Sequence, residues 1–142
     1  MIRPMEERDR RSVIDMMTEF YSSPAVYTDG SPEIFEADVT ACVGDCPFLE
    51  GYILEENGHL QGYAMVAKSF STEFGKRCIW IEDVYVKEEY RGLGLGSHFL
   101  AFIEGKYLDA ILRLEVEEDN ECALHVYKKR GFDVLPYMEM KK

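Results

Sequence analysis

The chain contains short runs rich in β-branched and aromatic residues, separated by longer segments in which apolar residues recur at helical spacing. The predicted strands are residues 1–4, 48–55, 60–69, 80–86, 111–116, 132–135 and 137–140. The predicted helices are residues 6–21, 32–43, 95–107 and 121–130. This order predicts an α/β fold with a central mixed sheet of six to seven strands flanked by about four helices.

Turn and cap residues mark several of these boundaries. Ser31 followed by Pro32 is a favoured start for a helix, and Asn120 is a favoured cap for the last one. Asn57-Gly58 between two strand segments is a strong hairpin signal. Gly131 stands where a glycine commonly ends a helix.

Residues 80–116 contain a strand, a helix and another strand, which predicts two parallel strands joined by a right-handed crossover. Ligands of such sheets bind beyond the carboxyl ends of the strands. The loop from Arg91 to Gly96 lies at this edge, and its glycines can present backbone N–H groups to an anion. A P-loop would need Lys and then Ser or Thr where Ser97 and His98 stand. A dinucleotide fingerprint would need a glycine at Ser97 or Phe99.

The pattern that remains, Arg-x-x-Gly-x-Gly at 91–96, resembles the acetyl-CoA pyrophosphate loop of the GNAT superfamily of N-acetyltransferases. A second motif, formed by Asn120, Ala123, Tyr127 and Gly131-Phe132, resembles the Asn-x-x-Ala-x-x-x-Tyr signature of the same superfamily. The resemblance implies an N-acetyltransferase that uses acetyl-CoA as cosubstrate. The residues expected to bind this cosubstrate are Val84, Tyr85, Val86, Arg91, Gly92, Leu93, Gly94, Leu95, Gly96, Ser97, Asn120 and Tyr127.

The length and the charge of the chain exclude several classes of function. A chain of 142 residues predicts a single domain over 1–142, and a net charge of −11 argues against nucleic acid as a partner. No apolar run is long enough to span a membrane, and residues 1–11 are too charged for a secretory signal, so a cytoplasmic location is expected. The four cysteines lack metal-binding spacing, and no metal is expected. Because CoA is an anion, Arg91, Lys87 and the loop amides must supply its phosphate affinity.

Glu82 and Asp83 are adjacent carboxylates in a strand that is otherwise apolar, so each needs a partner, water or a catalytic role. This strand resembles the diamine acetyltransferase branch of the superfamily, in which a glutamate at the position of Glu82 is implicated as the general base. The alternative is that one or both carboxylates pair with Arg77, Arg113 or backbone N–H groups. A bulge in the strand would reverse the side-chain alternation and favour Asp83.

Tyr127 is either an aromatic residue on the core face of its helix or a general acid. It lies two helical turns after Asn120 on the same face, and the resemblance favours the acid. A phenol with a pKa of about 10 can return a proton to a departing thiolate. The expected reaction is direct attack by an amine in a ternary complex, with Val84 and Val86 pairing with the pantetheine arm like an added strand.

The sequence leaves the acceptor amine open. Tyr21, Tyr27 and Asp29 are candidates for lining its pocket. Small amines such as polyamines or aminoglycosides, amino acids, and peptide N-termini or lysines are all open as acceptors. A non-catalytic acyl-CoA sensor is the alternative function. The strand after Pro136 could pair between subunits, so a homodimer is also open.

Overall fold

The computed structural model describes residues 1–142 and contains five strands and four α-helices. The strands are β1 (Ile2–Pro4), β2 (Leu49–Glu56), β3 (His59–Ser71), β4 (Lys76–Val86) and β5 (Ile111–Leu114). The helices are α1 (Arg10–Tyr21), α2 (Pro32–Val43), α3 (Leu95–Lys106) and α4 (Glu121–Lys129). Short 3-10 turns precede α1 at Glu7–Asp9 and follow β4 at Glu88–Tyr90.

The strands form one mixed sheet in the order β1-β2-β3-β4-β5, with only the β4–β5 pair parallel. The α/β class, the element order as far as α4 and the parallel crossover are therefore confirmed. The prediction of six to seven strands is wrong, because residues 132–135 and 137–140 are not strands. No backbone hydrogen bond joins residues 133–142 to the sheet, and Pro136 has no N–H to donate. Strand-like composition without a pairing partner does not make a strand.

The local signals act as predicted at the ends of the elements. The Ser31 side chain accepts a hydrogen bond from the Ile34 backbone N–H at 3.2 Å, and Pro32 occupies the first helical position of α2. Asn57 and Gly58 both have positive φ, +50° and +78°, as a tight turn between antiparallel strands requires. The hairpin and the start of α2 are therefore fixed by local chemistry.

Helices cover both faces of the sheet, and each face has its own apolar cluster. Helices α1 and α2 pack on one face, where the buried side chains include Val13, Met17, Val39, Ile53, Tyr63 and Tyr85. Helix α3 packs on the other face, where they include Leu54, Val66, Ile79, Ile81, Phe99 and Ile103. None of the helices combines the length and apolarity needed to cross a bilayer.

Strand β4 has two irregularities at the level of its carboxylates. Ile81 pairs with Val66 and Asp83 with Met65, so Glu82 is an extra residue that forms a β-bulge. On its other side β4 pairs with β5 only from Cys78 to Ile81. From Glu82 to Val86, β4 therefore has β3 on one side and no strand on the other.

Candidate active site

The loop between β4 and α3 presents backbone N–H groups that have no acceptor. Gly92 and Gly94 have φ of +77° and +81°, which glycine adopts without strain. No amide from residue 92 to 97 donates to a backbone carbonyl, and a Cβ added at Gly92, Gly94 or Gly96 would meet no atom within 4 Å. Free amides at the start of a helix form a site for an anion.

Arg91 places a positive charge beside this loop. Its Nε donates to the Val86 carbonyl at 2.9 Å, and its guanidinium carbon lies 5.7 Å from the centre of the Tyr85 ring. The Tyr85 hydroxyl donates to Glu19 on α1, which fixes the ring. Arg91 has no carboxylate partner in the protein, so its charge is available to a phosphate.

Asn120 caps α4 and Tyr127 lies within it, and α4 follows β5 at the same edge of the sheet as the glycine loop. Asn120 Oδ1 accepts a hydrogen bond from the Ala123 N–H at 3.2 Å, so its predicted role as a cap is confirmed. The half-buried Tyr127 ring lies 5.8 Å from the ring of Phe132. The Tyr127 phenol, with an ordinary pKa of about 10, is protonated at neutral pH, and burial raises this pKa further.

The two adjacent carboxylates have different surroundings. Asp83 is 5% exposed, and its two oxygens accept hydrogen bonds from Tyr21 at 3.0 Å and Tyr63 at 2.7 Å. Glu82 is exposed and accepts no hydrogen bond from the protein. The bulge that would favour Asp83 is present, yet Asp83 is the carboxylate held by the core. Glu82 is the one free to exchange protons.

A cavity of about 150 Å³ opens beside Glu82. Three of its lining residues are carboxylates and none is basic. The lining consists of Tyr21, Asp38, Leu49, Met65, Glu82 and Asp83. Burial, and then the charge of Asp83, raise the pKa of Asp38 to about 6. The pKa of Glu82 is also raised, first by partial withdrawal from water and then by the charges of Asp83, Glu139 and Asp38. The cavity therefore favours a positively charged guest.

Only one of the three residues predicted to line the acceptor pocket lies on this cavity. Tyr21 lines it, whereas Tyr27 is 87% exposed and neither Tyr27 nor Asp29 is part of the lining. Sequence reasoning missed Tyr63, because its contact with Asp83 depends on the cross-strand register. It also missed Asp38, although Asp38 lies three residues after Phe35 on the inner face of α2 and could have been found from the helical spacing.

The unpaired edge of β4, the glycine loop with free amides and the acidic cavity beside Glu82 together indicate an acyltransferase that uses an acyl-CoA. The chain belongs to the acetyltransferase (GNAT) family, whose model matches residues 12–132, and it is an N-acetyltransferase. Within the structure, no group of three or more His, Cys, Asp or Glu side chains is arranged to hold a metal ion.

Similar proteins support this family assignment. The chain is 34% identical to the thialysine N-epsilon-acetyltransferase of Bos taurus, with 92% of this chain and 82% of the relative covered. The structure of a possible acetyltransferase from Clostridium difficile 630 superposes with a TM-score of 0.85 at 18% identity, covering 100% of this chain and 95% of the other. AAC(6')-Iy in complex with the bisubstrate analogue CoA-S-monomethyl-acetylneamine gives a TM-score of 0.77 at 14% identity, covering 100% and 96%.

Proposed function

We propose that the protein transfers the acetyl group of acetyl-CoA to a primary amine on a small acceptor that carries further positive charge. The observation that carries this proposal is the position of Glu82. Its free carboxylate lies on the β-bulge, at the start of the unpaired edge of β4, and lines the acidic cavity. The proposed acetyl-CoA site and the proposed amine site therefore meet at Glu82, which can act as a base.

The donor end of the site is built from backbone groups and one arginine. The diphosphate would be bound by Arg91 and by the backbone amides of residues 92–97, among them those of Gly92, Leu93, Leu95 and Ser97. The free edge of β4 at Val84 and Val86 would pair with the pantetheine arm as an added strand. Bound in this way, acetyl-CoA supplies an activated thioester next to the acidic cavity.

Glu82 acts as the general base in this proposal. An alkylamine with a pKa of about 10 enters the site mostly protonated, so a proton must leave before nitrogen can attack. The raised pKa of Glu82 brings its proton affinity closer to neutral pH, where a base works best. Glu82 accepts the proton, directly or through water, and the neutral amine then attacks the acyl carbon.

Tyr127 acts as the general acid. The departing group is a thiolate, which needs a proton. The Tyr127 phenol, with an ordinary pKa of about 10, is protonated at neutral pH, burial raises that pKa further, and nothing in the protein accepts its hydrogen bond. Donation from Tyr127 yields the CoA thiol, and the proton that the nitrogen loses as the amide forms restores the phenol.

The acceptor class follows from the charge of the cavity. Asp38, Glu82 and Asp83 face the bound amine, and no Lys, Arg or His lines the space. An acceptor with a second ammonium group would be stabilised by Asp38, whereas a carboxylate near the reacting nitrogen would be repelled. The thialysine N-epsilon-acetyltransferase relatives support an alkylamine as the reacting group.

The test is thiol release from acetyl-CoA across a panel of amines. The panel contains a diamine, a polyamine, thialysine, an aminoglycoside, a peptide with a free N-terminus, and a monoamine with an uncharged tail. We expect kcat/KM for the diamine to exceed that for the monoamine by about tenfold, the effect of one charge-assisted hydrogen bond. Asp38→Asn should remove this preference, while Asp29→Asn, outside the cavity, should keep it.

The same assay separates the enzyme from a non-catalytic sensor. A sensor would bind CoA and release no thiol with any amine, which would overturn the proposal. The free carboxylate of Glu82 beside the unpaired strand edge supports the enzyme.

We also propose a cytoplasmic protein, a location consistent with acetyl-CoA and a small cationic amine as substrates. The exposed apolar side chains Val134, Tyr137 and Met138 support a homodimer in which this segment pairs with a second copy. Sedimentation at micromolar concentration tests this dimer.

A further inference from the structure

Two tyrosines hold the buried carboxylate that adjoins the proposed base. Tyr63 on β3 is 0% exposed and donates to Asp83 Oδ2 at 2.7 Å, and Tyr21 at the end of α1 donates to Oδ1 at 3.0 Å. We propose that Tyr21 and Tyr63 are positioning residues for Glu82, because they keep Asp83 ionised and so fix a negative charge beside the base. The inference rests on the proposed role of Glu82.

The two phenols are the groups that donate hydrogen bonds to the Asp83 carboxylate. Asp83 is 5% exposed and has no basic partner, and an ionised carboxylate without partners in such a place would take up a proton. Burial raises the pKa of Asp83, and the hydrogen bonds from Tyr63 and Tyr21 oppose that rise. Burial and the neighbouring anion also raise the pKa of both phenols, so they remain donors.

The geometry places the charge of Asp83 close to the carboxylate of Glu82. The two residues are consecutive, and the β-bulge lets both line one cavity, which an alternating strand would not allow. The charged and titratable groups that face Glu82 come from β4, α1, α2, the segment after β5 and the C-terminal segment: Asp83, Tyr21, Asp38, Glu115 and Glu139. None is basic. A fixed anion at Asp83 therefore raises the pH at which Glu82 gives up its proton.

The test compares pH profiles of kcat/KM in variants that remove one hydroxyl or one charge. Tyr63→Phe and Tyr21→Phe each remove one hydrogen bond to the Asp83 carboxylate. Asp83 then takes up a proton more easily and repels Glu82 less. We expect the acidic limb of the profile to move to lower pH by about 1 unit, the scale of strongly interacting sites. Asp83→Asn should move the limb in the same direction.

Two comparisons separate this role from a structural one. Tyr52→Phe is the matched control, because the buried Tyr52 hydroxyl donates to a carboxylate, that of Glu50, which does not line the cavity. It should lower stability and leave the acidic limb in place. In an Asp83→Asn background, Tyr63→Phe should cause no additional shift, because the charge through which it acts is absent.

A direct titration completes the test without catalysis. The carbon-13 signal of the Asp83 carboxyl should titrate at higher pH in Tyr63→Phe than in the wild-type protein, both without acetyl-CoA. Phenylalanine variants with the wild-type acidic limb, or an unchanged Asp83 titration, would overturn the inference. Absence of thiol release by the wild-type enzyme would instead overturn the proposed function, and the Asp83 titration would still decide whether the tyrosines keep it ionised.

Discussion

Replacing Gly94 with alanine tests whether the glycine loop binds the diphosphate. Gly94 caps α3 with φ +81°, and a Cβ there meets no atom within 4 Å. The added methyl group would stand in open space beside the amides of residues 92–97, which have no backbone acceptor. The substitution therefore interferes with anything that approaches those amides without creating a clash inside the protein.

The chain offers a matched control in Gly58, at the tip of the β2–β3 hairpin. Gly58 has φ +78°, and a Cβ there also meets no atom within 4 Å. An L-residue in this left-handed conformation costs roughly 1–2 kcal/mol at either position. Gly94→Ala and Gly58→Ala should therefore lower the free energy of unfolding by similar amounts.

The effect on CoA affinity should separate the two variants. A hydrogen bond to a charged group contributes about 1.5–3 kcal/mol, so losing one amide–phosphate bond weakens binding by about 10- to 100-fold. Titration calorimetry with CoA measures this dissociation constant, and thermal unfolding measures the shared loss of stability. We expect Gly58→Ala to bind CoA like the wild type. Equal dissociation constants for both variants would refute the assignment of the loop to the diphosphate.

Three further predictions concern single side chains. Glu82→Gln should reduce kcat by about 100-fold, as the loss of a general base does, and abolish the acidic limb of the pH–rate profile while CoA affinity stays within about twofold. Tyr127→Phe should lower kcat more than it raises KM for acetyl-CoA, and a thioester with a more acidic thiol should recover part of the loss. Burial alone would raise the pKa of Glu50, but hydrogen bonds from Tyr107, Tyr52, Lys106 and Lys68 hold it at about 2. Glu50→Gln should therefore cost about 1–2 kcal/mol of stability above pH 4.5, and chemical denaturation should show this difference vanishing as pH falls towards 2.

The parts of the fold that local chemistry controls could be predicted from the sequence. Ser31, Asn57-Gly58 and Asn120 each fix a boundary through hydrogen bonds or φ angles within a few residues. The C-terminal segment could not be predicted in this way. Val134, Tyr137 and Met138 favour strands by composition, but whether they form one depends on a neighbouring strand edge, which no local pattern supplies.

In the candidate site, too, the local features could be predicted from the sequence and the long-range contacts could not. The glycine loop is a continuous stretch, so its spacing alone indicated an anion site. The contact of Tyr63 with Asp83 joins two strands, and that of Tyr21 with Asp83 spans 62 residues of sequence. Such contacts depend on register and helix placement. For this reason the sequence also allows Arg77 or Arg113 as a partner of the carboxylates, whereas in the structure Arg113 stacks on Trp80, with 4.8 Å between guanidinium and ring centre.

The β-bulge at Glu82 shows how a small backbone irregularity decides which chemistry the strand can support. Ile79, Ile81 and Val84 all face the α3 cluster, so the spacing of apolar residues changes from two to three at the carboxylates. If β4 kept Glu82 but alternated regularly through residues 81–83, Asp83 would face the same cluster as Ile81, away from Tyr21 and Tyr63, and its charge would be costly to bury. The change in spacing is visible in the sequence, and it is the signal that both carboxylates belong to one cavity.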